Sequence, residues 1–266
     1  MQLNIDKASQ PIRLLQITDC HLGEQLLGLD TDESLIDVLG LINAKEPAPD
    51  LLLATGDIAG HADLLAYQRF LELMNSSIDA PMFWLPGNHD TPEIMNRALG
   101  GKTMPRVITI CNWVVILLDS SVPGHEYGDL SDEELAFLDQ TLKSHPHHHA
   151  LIFLHHQPIP VGSAWVDQYI VRRAGQFFDI VDSQPQVKGI CWGHVHQEFC
   201  HRRKGVTLWS TPSTCIQFKP RCEDFTVDRI MPGYRWFDLY PDGSFVSEVS
   251  RVAEKSYSID YASSGY

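Results

Sequence analysis

Short, almost wholly apolar runs alternate along this chain with longer stretches in which apolar residues recur every three to four positions. Residues 12–18 (Ile-Arg-Leu-Leu-Gln-Ile-Thr) are the first such run. It is too short for a stable helix and suits a strand covered on both faces, ended by Asp19-Cys20-His21. A glycine-containing loop follows over 22–30. Thr31 or Asp32 can then cap a helix running to Lys45, with Leu35, Ile36, Leu39 and Ile42 at helical spacing. Pro47 and Pro49 stop it. Residues 50–55 read as a second buried strand closed by Gly56-Asp57. Residues 61–75 read as a second helix with Leu64, Leu65, Phe70, Leu71 and Met74 inward. Residues 82–85 form a third strand. Strand, helix, strand, helix, strand implies right-handed crossovers and a largely parallel sheet.

Residues 107–111 and 113–119 predict a hairpin. Ser131-Asp-Glu-Glu134 is a capping box that opens a helix to about Lys143. Residues 150–154 and 187–192 are again buried strands, separated by loop and a short helix over 157–175. Beyond them the pattern becomes antiparallel, over 197–210, 234–240 and 244–249, with Pro241-Asp242-Gly243 as a tight turn. The expected architecture is one α/β domain over residues 1–250, with two sheets, the later hairpins supplying the second. The Ser- and Tyr-rich tail, 251–266, is expected to be poorly ordered.

The 266 residues are enough for a substantial core, and a hydrophobic fraction of 44% with 20% charged is that of an ordinary globular enzyme. The net charge of -14 argues against a nucleic-acid binder. It leaves room for an anionic substrate, because bound cations can dominate a site's local field. The start lacks the basic-then-apolar order of a signal peptide, and no apolar run approaches membrane-spanning length. The six cysteines include no Cys-x-x-Cys pair. A reduced cytoplasmic protein without a membrane partner, monomeric or homodimeric, is expected.

Pro86-Gly87-Asn88-His89-Asp90 would, alone, pass for a surface turn. It belongs to a series. The chemistry-bearing strands end in Asp19 with His21, in Asp57, in Asn88 with His89, in His155, and in His194 with His196. Sites in open α/β sheets lie beyond the carboxyl ends of the strands, so neighbouring strands would bring these side chains together. Each alone is an ordinary cap or strand end; the ordered set of five is not. Carboxylate, amide oxygen and imidazole without thiolate suit a hard-to-borderline divalent or trivalent metal. In an extended segment residues i and i+2 share a side, so Asp19 and His21 can share an ion, while His194 and His196 can straddle a pair. Asp57 is the natural bridge.

Asp19-x-His21, Gly56-Asp57, Gly87-Asn88-His89-Asp90, His155 and Gly193-His194-x-His196 together resemble the calcineurin-like metallophosphoesterases. Within that superfamily the chain is most similar to the bacterial class III 3',5'-cyclic-AMP phosphodiesterases. The closer likeness runs through residues 15–19, 84–90, 155–158, 193–197 and 211–220, and covers nearly everything before about Arg251. The resemblance implies a four-layer αββα sandwich of two mixed sheets flanked by helices. It also implies two metal ions, iron first, with manganese, zinc or cobalt as alternatives. One ion would be held by Asp19, His21, Asp57 and His196, the other by Asp57, Asn88, His155 and His194. His89 would be the histidine that contacts the phosphate.

The implied reaction is attack by a metal-bridging hydroxide on the phosphorus of 3',5'-cyclic AMP, giving 5'-AMP and lowering cellular cAMP. His89 and Asp57 would be catalytic. His21, Asp57, Asn88, His89 and His196 would lie against the phosphate. Asp90 would either orient His89 or cap a helix starting near Thr91. Trp165, Tyr169, Gln217 and Phe218 could frame a base, but aromatics in such positions are more often packing residues. Gly56 to Asp63 contains no arginine of the kind that binds a phosphomonoester in the related protein phosphatases, which favours a diester. A 2',3'-cyclic nucleotide or a glycerophosphodiester is an alternative substrate. A non-catalytic scaffold on the same fold is disfavoured by the complete ligand set.

Overall fold

The computed structural model describes residues 1–265 other than 6, 8, 9 and 47. Pro47, expected to help stop the first helix, and Tyr266, the last residue of the tail, lie outside them. In chain order come β1 (Gln2–Leu3), β2 (Ile12–Ile17), a small hairpin of β3 (Gln25–Leu26) and β4 (Leu29–Asp30), and α1 (Thr31–Lys45). They are followed by β5 (Leu51–Thr55), α2 (Leu64–Ser77), β6 (Met82–Leu85), α3 (Pro92–Ala98), β7 (Val107–Ile110) and β8 (Trp113–Leu117). The second half holds α4 (Asp132–Ser144), β9 (His149–Phe153), a 3-10 turn (Val166–Tyr169), α5 (Ala174–Asp182), β10 (Val187–Trp192), β11 (Phe199–Arg203) and β12 (Val206–Ser210). The last strands are β13 (Gln217–Phe218), β14 (Val227–Asp228), β15 (Gly233–Leu239) and β16 (Phe245–Arg251).

Two mixed sheets result. One has the order β16-β15-β2-β5-β6, the other β1-β7-β8-β9-β10-β12-β11. The three early strands pair in parallel, as do β8, β9, β10 and β12. The expected division by chain order is corrected here. The late hairpins do not form a sheet of their own: β15–β16 extends the first sheet alongside β2, and β11–β12 extends the second. Joining an existing sheet satisfies one edge of each hairpin that would otherwise present bare backbone groups.

The apolar runs are continuous because both faces of the central strands are covered. In β5, Leu51 and Leu53 face the opposite sheet while Leu52 and Ala54 face α1, α2 and α3. In β9, Leu151 and Phe153 enter the intersheet layer while Ala150 and Ile152 face the side that carries α4 and α5. Three apolar layers therefore separate helix, sheet, sheet and helix, the αββα sandwich.

Local signals fix the helix ends. The first N-cap is Asp30 rather than Thr31 or Asp32: its carboxylate accepts from the Asp32 and Glu33 amides. Thr31 Oγ1 lies instead 2.9 Å from the His21 carbonyl oxygen, tying the helix to the site loop. The second helix starts at Leu64, capped by Asp63. The capping box of α4 is half formed. Ser131 Oγ accepts from the Glu134 amide, but the Glu134 carboxylate turns to Arg106 and the Asp119 amide. Helix α5, whose large apolar residues are Phe177, Phe178, Ile180 and Val181, lies largely beyond the short helix expected within 157–175. The His145 to His149 cluster lies at the start of β9, at the end of the strand away from His155. The His201 to Lys204 stretch lies in the β11–β12 hairpin, where Arg203 and Lys204 pair with Asp182. Over its described length the tail bonds to the domain. Lys255 and Tyr257 bond to Asp37 of α1, and the Asp260 amide donates to the Leu27 carbonyl. Among the described residues no helix is long and apolar enough to cross a membrane.

Phe237 on β15 is fully buried between the sheets, its ring 6.0 Å from Phe153 and 5.6 Å from Trp209 of the facing sheet. Phe237→Ala should cost about 3–5 kcal/mol of unfolding free energy, read from urea melts, because the rigid sheets cannot close on the cavity.

Candidate metal centre and substrate cleft

The carboxyl ends of β2, β5 and β6 in one sheet and of β9 and β10 in the other meet at one place, and the five predicted strand-end groups meet with them. The convergence does not use extended backbone, as the i, i+2 argument supposed. The strands end first, at Ile17 and Trp192, and five of the candidate residues beyond strand ends adopt left-handed backbone. Asp19 has φ 54°, His21 48°, Asp57 49°, His194 62° and His196 46°. Such backbone costs energy for non-glycine residues and persists where the surroundings over-determine it, commonly at functional sites. Glycines make room for it. A Cβ on Gly87 would stand 2.8 Å from Asp57 Cγ, and one on Gly193 2.7 Å from Asp19 Oδ2.

Hydrogen bonds lock the loops of the two sheets together. The His194 amide donates to both carboxylate oxygens of Asp19 at 3.0 Å. The His89 amide donates to Asp57 Oδ1 at 2.9 Å. Nδ1 of His155 donates to the Thr55 carbonyl and Nδ1 of His196 to the Ile216 carbonyl, each at 2.9 Å. With Nδ1 so engaged, Nε2 of both rings faces the carboxylates; against its burial, Asp57 beside it raises His155 to about 9, and a bound cation would take the place of the Nε2 proton. His155 Nε2 is 3.2 Å from Asp57 Oδ2, His196 Nε2 3.3 Å from Asp19 Oδ1, and His21 Nε2 3.7 Å from Asp57 Oδ2.

Charge state follows from burial and neighbours. Burial alone would raise both aspartates, but His196 and His155 beside Asp19, and His155, His89 and His21 beside Asp57, hold them below the usual carboxylate range. Burial pushes His21 down to about 3 and lowers His194 as well, keeping these rings neutral. His89 is raised against its burial by the Asp57 carboxylate, the Gly60 carbonyl and Glu24.

The donors fit metal ions. Asp19, His21 and His196 offer ligand atoms within 4.8 Å of one another, and so do Asp19, Asp57 and His155. Two further groups are His21, Asp57 and His89, and His155, His156 and His194. Asn88 Oδ1 and His194 Nε2 are buried with no hydrogen-bond partner among the described residues, which is costly unless something else occupies them. No cysteine belongs to these groups, and burial pushes the thiol of the neighbouring Cys20 up to about 12.

Two residues differ from expectation. Asp90 neither orients His89 nor caps a helix. His89 Nδ1 donates to the Gly60 carbonyl at 2.8 Å, and the cap position of α3, Thr91, makes no side-chain bond. The buried Asp90 carboxylate gathers the amides of Ile58, Ala59 and Gly87 and the Tyr67 hydroxyl, stapling the Asp57 loop to the Asn88 loop. His156, given no role from sequence, stands 4.7 Å ring to ring from His194 with Nδ1 2.8 Å from Ser120 Oγ. Its adjacency to His155 was the available signal.

A cleft of about 830 Å³ opens over the centre, with Asn88, His89 and His194 in its lining. Trp165, Phe218 and Phe225 form one aromatic wall, their ring centroids 4.9–5.3 Å apart, and Phe218 stacks flat on His196 at 4.1 Å. Tyr169 also lines it; Gln217 does not, its amide being spent on the Ser213 carbonyl and Arg251. Glu126, Glu223, Asp224, Ser264 and Gly265 are among its exposed lining residues, beside His125, none of them marked by a motif.

Comparison with known proteins agrees with this geometry. Residues 12–198 match the model of the calcineurin-like phosphoesterase family. The chain is 40% identical to a 3',5'-cyclic adenosine monophosphate phosphodiesterase, CpdA, of Pseudomonas aeruginosa, over 99% of this chain and 98% of that one. It is 43% identical to the Escherichia coli K12 protein of the same name, over 96% and 95%. Among solved structures it resembles a dimetal phosphatase from Danio rerio, with a TM-score of 0.66 and 16% identity over 92% of this chain and 98% of that one, a likeness of fold. With the family model spanning the strands and loops that build the centre, and full-length relatives at this identity, the chain belongs to the calcineurin-like phosphoesterase family.

Proposed function

We propose that this protein is a two-metal phosphodiesterase that hydrolyses 3',5'-cyclic AMP to 5'-AMP and so lowers the cellular cAMP pool. The observation that carries the reading is the complete donor set at the seam of the sheets with His89 beside it, its ring 4.8 Å from that of His21. Asp19, His21, Asp57 and His196 would hold one ion; Asp57, Asn88, His155 and His194 would hold the other. The nitrogen and oxygen donors suit iron, manganese, zinc or cobalt. When bound, the ions supply positive charge for the phosphoryl oxygens and acidify a water enough to make it a nucleophile near neutral pH.

The chain's own residues do the rest. His89, its Nδ1 proton engaged by Gly60, presents Nε2 toward the centre. With its pKa raised it can carry a second proton and donate it to the departing 3' oxygen. Asp57 holds the His89 backbone through its amide and thereby sets that reach. Among the described residues no lysine or arginine lines the cleft. A phosphomonoester dianion would need such a group; a singly charged diester needs less compensation. The aromatic wall and the volume suit one nucleoside.

His89→Ala should keep its metals and lose about 10²–10⁴-fold in turnover, the usual worth of a general acid, read by steady-state kinetics alongside metal analysis. Wild-type rates in that variant would sink the assignment. Asp57→Ala should lose bound metal; full occupancy by elemental analysis would contradict the bridging role. On metal-reconstituted protein, cAMP should be converted to 5'-AMP faster than cGMP, 2',3'-cyclic AMP, a glycerophosphodiester or a phosphomonoester. Brisk turnover of one of the others without cAMP turnover would replace the substrate while leaving the chemistry in place.

A further inference from the structure

The segment after β16 leaves the sheet edge, crosses the face of α1 and the β3–β4 hairpin, and reaches the substrate cleft at Ser264 and Gly265. Its course is pinned at several points. Lys255 Nζ lies 2.6 Å from Asp37 Oδ2 and 2.7 Å from Glu33 Oε1. Tyr257 Oη donates to the same Asp37 oxygen at 2.7 Å. The Asp260 amide donates to the Leu27 carbonyl at 2.8 Å. Tyr257 and Ile259 pack on the apolar cluster that contains Phe218, the residue stacked on His196. Arg229 lies over the Tyr261 ring at 4.1 Å. Gly28 keeps the crossing close: it has φ +88°, and a Cβ there would stand 3.3 Å from the Ser258 carbonyl oxygen. Beyond these anchors Ser264 and Gly265 line the same cleft as His89 and His194.

We propose that this C-terminal strap is a specificity element: it bounds the mouth of the cleft and restricts it to small, singly charged diesters. The inference deepens the phosphodiesterase reading and rests on it. Two features act in the same direction. The strap closes part of the mouth sterically, where a chain of nucleotides extending on both sides of the scissile phosphate would have to leave. The carboxylates of Glu126, Glu223 and Asp224 line that mouth too, and repel each further phosphate of an oligonucleotide within a Debye length of about 8 Å at physiological salt. A cyclic mononucleotide brings a single charge, which the centre neutralises, and has no flanking nucleotide to accommodate. A chain carrying two or three phosphates meets both obstacles.

The test compares the intact protein with a form ending after Tyr261, which keeps every anchor up to that residue. A second form, Lys255→Ala with Tyr257→Phe, frees the strap from Asp37 without shortening it. Each is loaded with the same metal, and metal content and melting temperature are recorded. The readout is the ratio of kcat/KM for a small diester, cAMP or bis(p-nitrophenyl) phosphate, to that for a thymidine trinucleotide. The ratio should fall about tenfold in the shortened form, or in the double variant should the shortened chain not fold, mainly through faster trinucleotide turnover. A ratio within about twofold of wild type in a folded, metal-loaded variant overturns the proposal, as does an absence of trinucleotide turnover in all forms. Should the intact protein cleave the aryl diester but not cAMP, the substrate reading fails, and the aryl ratio still decides the strap.

Discussion

Two buried carboxylates, Asp19 and Asp57, set the terms for this molecule. Ionised groups cannot be buried without compensation, and the compensation comes from across the seam between the sheets. Asp19 belongs to the first sheet and takes its backbone donors from His194 of the second. His155 of the second sheet donates to Thr55 of the first and turns its other nitrogen to Asp57. The charge centre is therefore also the joint between the halves. Left-handed backbone at Asp19 and Asp57 and a bare Cα at Gly87 and Gly193 are the local conditions for that joint. The same groups that cost energy in folding are the ones a pair of cations would repay.

Beneath the centre the scaffold is stiff. Gln16, fully buried, donates to Thr55 Oγ1 at 2.9 Å in its own sheet and accepts from Thr211 Oγ1 at 2.6 Å next to the other. Asp90 and Tyr67 staple two ligand loops to α2. Apolar layers fill the space on both faces of both sheets. The floor of the cleft is thus held by strand ends and by the hydrogen-bonded Gln16 and Asp90 side chains, a condition for placing several donor groups to within fractions of an ångström. The walls are built differently, from the Trp165 and Phe225 loops and the C-terminal strap. Chemistry is fixed by the floor and selection is left to segments that can vary.

Electrostatics divides in the same way. A protein of net charge -14 that acts on an anion needs its positive potential concentrated at one point. Imidazoles at the seam and the cations they could hold would supply it, and under the proposed role the acidic cleft lining limits how many negative charges can approach together. The absence of lysine and arginine from the described cleft lining belongs to the same design, since a permanent cation there would favour phosphomonoesters and products.

The sequence by itself determined the buried strands, the parallel βα order of the first half and the ligand types at five strand ends. Those are local properties: short apolar runs flanked by glycine and polar residues have few other solutions, and carboxylate, amide and imidazole report donor chemistry wherever they lie. It could not settle which sheet each late hairpin joins, because a strand's pattern records how many faces are covered, not by what. It pointed Asp90 to His89 or a helix cap, when the carboxylate binds amides more than thirty residues away in the chain. Left-handed loops rather than extended strand ends, the entry of His156, and the strap reaching the cleft from the far end of the chain were likewise decided by tertiary structure. Each depends on pairings between residues distant in sequence, and such pairings leave no period in the chain to read.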